Sequence, residues 1–220
     1  MAYNASMSLA IISASHYAGS GSASISLRAA NLLKARLESD QPDRAVSVID
    51  LRLFGVQSCV MCGDCASHPR CSRDVPFNDL LEVIRHQDEL ALIVPVYAGL
   101  PSRLVILMEK LQEMFWLRYS RNARTSEILR ASRVGILAHG GQTEGFEEHY
   151  QASVIGPLSK CFHALGLAVL NDTAPGPICF GVSGYESSGG EQFPRSTHDM
   201  AAVGAAVDGL AELFRQAAMD

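Results

Sequence analysis

The sequence lacks a positively charged residue before Arg28, and it lacks a long apolar run. A secretory signal needs a basic segment ahead of its apolar core, so the N-terminal residues do not have that pattern. The longest apolar run, 90–101, is too short to cross a bilayer and contains a proline. These absences predict a cytoplasmic protein, in which cysteines stay reduced and do not form a disulfide framework.

Basic residues are not in excess either. Lys and Arg number 18 and Asp and Glu number 23, which gives a formal net charge of −5. Binding to nucleic acid would need a basic patch that displaces counterions, so this class of function is not indicated. The 220 residues contain no internal repeat, low-complexity tract or long linker, and 48% of them are hydrophobic. We therefore predict a single domain, 1–220, with a full core.

Short apolar runs alternate with amphipathic stretches along the chain. Each apolar run is typical of a buried strand of a parallel sheet, and each amphipathic stretch is typical of a helix. The predicted strands are 8–14 (SLAIISA), 44–51, 89–95, 133–138 and 167–171. The predicted helices are 21–39, one that begins at Pro76, one that begins at Pro101, 146–165 and 200–217. This alternation predicts an α/β fold with helices on both faces of a five-stranded parallel sheet in the order 2-1-3-4-5.

Three unusual loops follow strands one, three and four of the predicted sheet. In the order 2-1-3-4-5, ligands bind beyond the carboxyl ends of these strands. The first loop, 13–24, is rich in serine and glycine and precedes a helix N-terminus, which favours a bound phosphate. It has neither the third glycine of a dinucleotide motif nor the Gly-Lys-Ser/Thr of a P-loop, so a terminal monophosphate fits better than a pyrophosphate. The alternative interpretation is a capped turn.

The other two loops have the composition of a site for a flat ring. Loop 95–101 places Tyr97 beside Gly99 between two prolines, so an aromatic face and exposed amides are available to a ring. Loop 139–145 has three glycines and several polar side chains, which favour hydrogen bonds to the polar edge of an isoalloxazine. A packed strand-to-helix turn and a mobile surface loop are the respective alternatives.

The strongest motif is a loop with four closely spaced cysteines, inserted at about 55–74. The four residues are Cys59, Cys62, Cys65 and Cys71. Their spacing, C-x2-C-x2-C-x5-C, curls three thiolates around one centre and lets the fourth close the cage. This spacing resembles iron–sulfur ligation, whereas zinc sites more often use two separated pairs. Bound zinc, free thiols and a disulfide formed during handling are the alternatives, and Cys161 and Cys179 are interpreted as buried apolar side chains.

These segments together resemble the iron–sulfur flavoproteins of the NADPH-dependent FMN reductase family. The resemblance covers most of residues 8–170. It rests on the segment 9–15 (LAIISAS), the cysteine run 59–71, the loop 95–99 (PVYAG) and the helix 102–111. In the first loop that family usually has Gly-Ser-Pro-Arg, where this chain has Ala14, Ser15, His16 and Tyr17. The arginine is therefore missing, and neutral hydroxyls and amides are left to hold a phosphate.

The resemblance implies a flavodoxin-like three-layer fold, noncovalent FMN, one 4Fe–4S cluster per chain and assembly into a homodimer or homotetramer. The residues expected to bind FMN are Ser13, Ser15, Ser20, Ser22, Ala23, Pro95, Val96, Tyr97, Ala98, Gly99, His139, Gly140 and Gly141. The residues expected to bind the cluster are Cys59, Cys62, Cys65 and Cys71.

The expected function is FMN-dependent oxidoreduction in which the cluster couples two-electron flavin chemistry to one-electron transfer. NAD(P)H or ferredoxin is the expected electron donor, a small molecule or a protein is the acceptor, and no side chain is assigned as catalytic. One alternative is a cluster-free NAD(P)H-dependent FMN or quinone reductase, and another is a non-catalytic redox carrier or sensor. The arginines between 118 and 133 are interpreted as a solvated helix face rather than as a site for NADPH or ferredoxin.

Overall fold

A parallel β-sheet lies at the centre of the computed structural model, which describes residues 7–16, 24–96, 99–141, 145–172, 176–180, 182–188, 191–197 and 199–218. Its strands are β1 (Ser8–Ser13), β2 (Ala45–Asp50), β3 (Glu89–Pro95), β4 (Arg133–Gly140), β5 (Ala168–Val169) and β6 (Ile178–Phe180). The strand order is β2-β1-β3-β4-β5, and β6 pairs with the carboxyl end of β4. The predicted order is therefore confirmed.

Helices cover both faces of this sheet. They are α1 (Ile25–Asp40), α2 (Val75–Ile84), α3 (Ser102–Tyr119), α4 (Glu147–Tyr150), α5 (Gly156–Ala164) and α6 (Met200–Ala217). One face packs against α1 and α6 through Leu33 and Phe214, and the other packs against α2 and α3 through Phe77 and Leu107. All seven residues of β3 are buried, as expected for a continuously apolar strand with helices on both sides. No helix in the described part of the chain is long and apolar enough to cross a membrane.

The predicted helix 146–165 is interrupted. Residues Gln151–Ile155 between α4 and α5 form a π-helical segment, in which each hydrogen bond spans one residue more than in an α-helix. Pro157 follows directly in the first turn of α5 and has no N–H to donate. The regular hydrogen-bond ladder is therefore broken at this point, and the wider turn accommodates the change in register.

An asparagine side chain fills a gap at the edge of the sheet. The predicted fifth strand, 167–171, contains only two strand residues, and β6 does not begin until Ile178. Between them, Asn171 Nδ2 donates to the carbonyl of Ile136 (2.8 Å), and Asn171 Oδ1 accepts from the N–H of Ile136 (3.1 Å). The side-chain amide thus takes the place of a strand residue beside β4, and Asn171 is 3% exposed.

Replacing Asn171 with alanine is expected to lower the free energy of unfolding by about 3 kcal/mol. The substitution leaves a buried N–H and a buried carbonyl of Ile136 without their partner, and each such loss costs about 1–3 kcal/mol. Urea unfolding measures the change. Asn31→Ala is the control, because Asn31 is exposed and its amide only donates to Leu27 O of its own helix; we expect a change within about 0.5 kcal/mol. Equal effects of the two substitutions would contradict the role given to Asn171.

The sequence pattern gives no structural prediction for most of 172–199. Besides β6, this segment contains the antiparallel hairpin of β7 (Val182–Ser188) and β8 (Glu191–Thr197), which form a separate two-stranded sheet. Beyond the hairpin, Asp199 caps α6 by accepting a hydrogen bond from Ala201 N (3.1 Å). The boundaries of α6 agree with the prediction.

Candidate functional site

The carboxyl ends of β1, β3 and β4 lie side by side at one edge of the sheet. Ser13 of β1 pairs with Ile93 of β3, and Pro95 of β3 pairs with His139 of β4. The chain beyond β3 is held to β4 by a hydrogen bond of 2.7 Å, which Val96 N donates to the carbonyl of His139. The structure therefore brings together the three strand ends that carry the predicted cofactor loops.

The predicted cofactor-binding residues fall into two groups. Those at this edge that the structure describes are Ser13, Ser15, Pro95, Val96, Gly99, His139, Gly140 and Gly141. Ser20, Ser22, Ala23, Tyr97 and Ala98 lie outside the described residues.

Buried hydroxyl groups follow β1. Ser13 is fully buried, and its Oγ has no hydrogen-bond partner among the described residues. Ser15 is buried as well. Ser24, which caps α1, accepts a hydrogen bond of 3.4 Å from Leu27 N. Because a buried hydroxyl without a partner is costly, Ser13 is suited to bind a polar group of a ligand.

A buried pair joins the first turn of α1 to the end of β4. Ser26 Oγ lies 2.7 Å from His139 Nε2, and the two residues are 1% and 6% exposed. His139 therefore contacts α1 through its side chain and the chain after β3 through its carbonyl. The role of Ser26 is not evident from the sequence, because a serine near a helix start is typical of a capping residue and its partner is 113 positions away.

Gly140 lies where two neighbouring groups approach the backbone closely. A Cβ at this position would lie 2.9 Å from Tyr150 Oη and 3.2 Å from Val96 Cβ. Tyr150 is fully buried at the end of α4. The absence of a side chain at Gly140 thus lets α4 and the chain after β3 close against β4.

Positive charge lies beside the chain that follows β1. Arg103, at the start of α3, donates to the carbonyl of Arg52 (2.8 Å). Burial lowers the pKa of His16, and the charge of Arg103 lowers it further. The hydrogen bond from Arg52 holds the pKa of Asp50 below its usual range. Arg103 therefore supplies a positive charge next to the loop in which the expected arginine is missing.

The four cysteines of the loop line one cavity of about 100 Å3, together with Asp74 and Lys110. Cys62 is exposed, and the other three are half-buried. Gly63 adopts a left-handed conformation (φ 77°) in the middle of the motif, which favours glycine because it has no Cβ. The four cysteines of the motif therefore lie around the same cavity, and a shared metal centre stays a prediction.

Hydrogen bonds hold the loop on both sides of the cavity. Asn78 of α2 bonds both the N–H and the carbonyl of Cys71, each at 2.8 Å. Asp74 accepts from the N–H of Gln57 (2.8 Å) and from the N–H of Phe77 (3.1 Å). Cys59 N donates to Glu109 of α3 (3.4 Å). The chain before the first cysteine and the chain after the last are therefore fixed to the same scaffold.

The electrostatics of the cavity are set by a buried ion pair. Lys110 Nζ lies 3.0 Å from Asp74 Oδ2. Burial disfavours both charges, but the pair and its hydrogen bonds outweigh it, so the pKa of Asp74 lies below and that of Lys110 above its usual value. Burial raises the pKa of the Cys65 thiol, and the neighbouring cysteines raise it further. The sequence alone does not assign Asp74 or Lys110 to a site, since a lone charged residue is usually solvated.

Within the described residues, no group of three or more His, Cys, Asp or Glu side chains is placed to hold a metal ion. Cys161 is half-buried rather than buried as predicted, and burial raises the pKa of its thiol. The side chain of Cys179 lies outside the described part of the chain.

The arginines between 118 and 133 are largely engaged within the protein. Arg118 is 5% exposed and pairs with Glu127, so the prediction of a solvated helix face is wrong for this residue. Arg130 pairs with Asp88, and Arg133 pairs with Glu89. Arg118 and Glu89 are buried in these pairs, and the local sequence pattern does not reveal that burial.

No protein-family model and no curated protein matches this chain. Solved structures share its fold. An azoreductase from Bacillus anthracis is 9% identical with a TM-score of 0.58, and the match covers 96% of this chain and 99% of that one. An NAD(P)H:quinone oxidoreductase from Methanothermobacter marburgensis is 16% identical with a TM-score of 0.54, with 96% of each chain covered.

A third similar structure is RosB with a bound flavin derivative, 8-demethyl-8-formylriboflavin-5′-phosphate. It is 17% identical with a TM-score of 0.56, and the match covers 96% of this chain and 80% of that one. At these identities the likeness establishes the fold alone. Together with the strand order, it identifies the chain as an α/β protein with the flavodoxin-like fold.

Proposed function

We propose that this protein is an FMN-dependent oxidoreductase that accepts hydride from NAD(P)H and reduces a small-molecule acceptor such as a quinone or an azo compound. The proposal rests chiefly on one observation: the ends of β1, β3 and β4 meet at a single edge of a flavodoxin-like sheet. Ligands of such sheets bind at this edge, where the strand order reverses. Bound FMN would supply the capacity to take up two electrons as hydride and to release them to the acceptor.

The residues around β1 fit the phosphate end of FMN. Ser13 offers a buried hydroxyl with no partner among the described residues, and Ser15, after Ala14, is buried as well. The N-terminus of α1 begins at Ile25 after this segment, and free N–H groups of a helix N-terminus favour an anion. Arg103 adds positive charge near His16. These donors and this charge are complementary to a phosphate monoester.

The residues after β3 and β4 fit the ring end of FMN. Val96 is fixed to β4 by its hydrogen bond to the carbonyl of His139, so the two loops have a defined separation. Gly140 and Gly141 present backbone without side chains at the end of β4. In this proposal His139 orients the loops through Ser26, and the backbone amides tune the electronics of the ring.

The similar structures support the choice of donor and acceptor. One is an NAD(P)H:quinone oxidoreductase, one is an azoreductase, and one holds a flavin-derived phosphate. By the same proposal, this chain uses a nicotinamide donor and a quinone or azo acceptor. A homodimer or homotetramer belongs to the same proposal, and the exposed apolar side chains of Met61, Trp116 and Tyr119 support self-association.

The test is a titration of flavin-free protein with FMN, followed by turnover with NADH or NADPH and a benzoquinone. We expect one FMN per chain and nicotinamide oxidation that requires both FMN and the quinone. A protein that binds no FMN would refute the proposal. If FMN binds but neither nicotinamide reduces it, while reduced ferredoxin does, the protein is an electron carrier or sensor instead.

A second candidate function adds a 4Fe–4S cluster on the cysteine loop, and one specific observation favours it. All four cysteines of the motif line a single cavity, and a buried ammonium group faces that cavity next to Cys71. Thiolates are the ligands of cubane iron–sulfur clusters. The cluster would supply one-electron transfer, so the protein would couple hydride chemistry at the flavin to single-electron partners.

Iron, acid-labile sulfide and zinc are counted per chain after anaerobic purification and reconstitution. The second candidate predicts four iron and four sulfide per chain, and Cys62→Ser or Cys65→Ser should abolish their uptake. Cys161→Ser is the control outside the motif and should retain it. Stoichiometric zinc without iron or sulfide would refute the cluster and leave the FMN-dependent reductase as the function.

A further inference from the structure

A buried lysine lines the cavity of the cysteine loop. Lys110 comes from α3, and its side chain is 5% exposed. Its Nζ donates to Cys71 Sγ at 3.6 Å and lies 3.0 Å from Asp74 Oδ2. It also lies 5.1 Å from the centre of the Phe77 ring. The ammonium is therefore held between one anion, one ring face and one thiol of the motif.

Stability does not account for this arrangement. Asp74 already caps α2 and binds the N–H of Gln57, so it anchors the loop without the lysine. A buried ion pair gains little over apolar side chains of the same volume, because both charges must lose their hydration. What the charged pair adds is an electric field, with its positive end at Cys71.

Such a field acts on the redox equilibrium of whatever the thiolates hold. Reduction adds one electron, so a cation near the sulfur ligands stabilises the reduced form, and an anion destabilises it. Hydrogen bonds to ligand sulfur and the net charge nearby are known determinants of cluster potentials. Lys110 supplies both the N–H donor and the charge, and Asp74 is the opposing charge behind it.

We propose that Lys110 raises the reduction potential of a 4Fe–4S cluster held by the four cysteines, and that Asp74 opposes it. This inference rests on the second candidate function. It makes Lys110 a positioning residue that acts through Cys71. The charges of Lys110 and Asp74 together then determine how readily the cluster accepts an electron.

The test compares variants with opposite expected signs. Lys110→Met should lower the ratio of reduced to oxidised cluster at a fixed potential by about tenfold, which corresponds to about 59 mV for a one-electron couple. Asp74→Asn removes the anion and should shift the ratio in the opposite direction. Asn is an equally good helix cap, so α2 keeps its start. Lys110→Arg should stay near the wild type because it keeps the charge.

The measurement is a potentiometric titration of the reconstituted protein, followed by the cluster spectrum, with iron and sulfide counted for every variant. Lys34→Met is the matched control: this lysine lies on α1 and pairs with Glu38, so no shift is expected. Shifts of the same sign for Lys110→Met and Asp74→Asn, or no shift in either, would overturn the inference alone. A wild-type protein that takes up no iron would overturn the second candidate function and this inference with it. If Lys110→Met does not hold the cluster, the sign of the potential shift in Asp74→Asn tests the inference: a shift to lower potential, or no shift, would overturn it.

Discussion

Replacing Glu89 with alanine is expected to lower the free energy of unfolding by about 3–5 kcal/mol, because it breaks a buried network of charges. Glu89 begins β3, and its side chain is 1% exposed. Its carboxylate pairs with Arg44, whose side chain is 3% exposed, and with Arg133 at 3.2 Å. Burial raises the pKa of Glu89 and lowers that of Arg44, each opposed by the charge of its partner. Without the carboxylate, Arg44 keeps a desolvated charge.

The same network fastens the C-terminal helix, which enlarges the effect. Arg133 donates to the carbonyl of Ala217 at the end of α6, and the guanidinium of Arg44 lies 5.6 Å from the ring centre of Phe214 on that helix. Phe214 is fully buried in the core on this face of the sheet. Loss of Glu89 therefore loosens a contact between β3, β4 and α6, in addition to leaving a charge unpaired.

Urea unfolding of the flavin-free protein measures this change without a contribution from ligand binding. Asp208→Ala is the matched control, since Asp208 pairs with Arg36 on the surface and both side chains are more than half exposed; such pairs contribute about 0.2–1 kcal/mol. Glu89→Leu combined with Arg44→Met should recover most of the loss, because apolar side chains replace buried ion pairs well. An effect of Glu89→Ala no larger than that of Asp208→Ala would contradict the account.

The parts of the fold that follow from sequence are those determined by local pattern. The boundaries of β3 and α6 agree with prediction, because a short continuous apolar run favours a buried parallel strand and a long amphipathic stretch favours a helix on its surface. The fifth strand was predicted too long, since its place beside β4 is completed by the side chain of Asn171. The hairpin of β7 and β8 was missed, because its strands are largely polar and one contains Pro194.

The same distinction between local pattern and long-range contact applies to the residues of the candidate site. The cysteine spacing and the loops after β1, β3 and β4 are local features, so the sequence alone predicts them. Ser26 and Lys110 were missed, because their roles depend on partners 113 and 39 positions away. A serine or a lysine does not by its type indicate a binding site, whereas the structure places Ser26 against His139 and Lys110 against Cys71.

Replacing Gly140 with valine is expected to weaken FMN binding at least about a hundredfold, which corresponds to about 2.7 kcal/mol. The new Cβ would lie 2.9 Å from Tyr150 Oη and 3.2 Å from Val96 Cβ, and valine adds two methyl groups beyond it. Tyr150 is fully buried, and Val96 is tied to the carbonyl of His139. Neither group has room to yield without displacing the chain that lines the proposed ring site.

Fluorescence titration with FMN measures the loss, and circular dichroism verifies that the variant is folded. Gly204→Val is the matched control: a Cβ at Gly204 in α6 meets no atom within 4 Å, so FMN affinity should not change. Gly140→Ala should show a smaller loss than valine, and Tyr150→Phe should partly restore binding in that background by removing the nearer of the two obstructing atoms. Wild-type affinity in folded Gly140→Val would mean that FMN does not depend on the close packing of β4, Val96 and Tyr150, and the ring site would have to lie elsewhere.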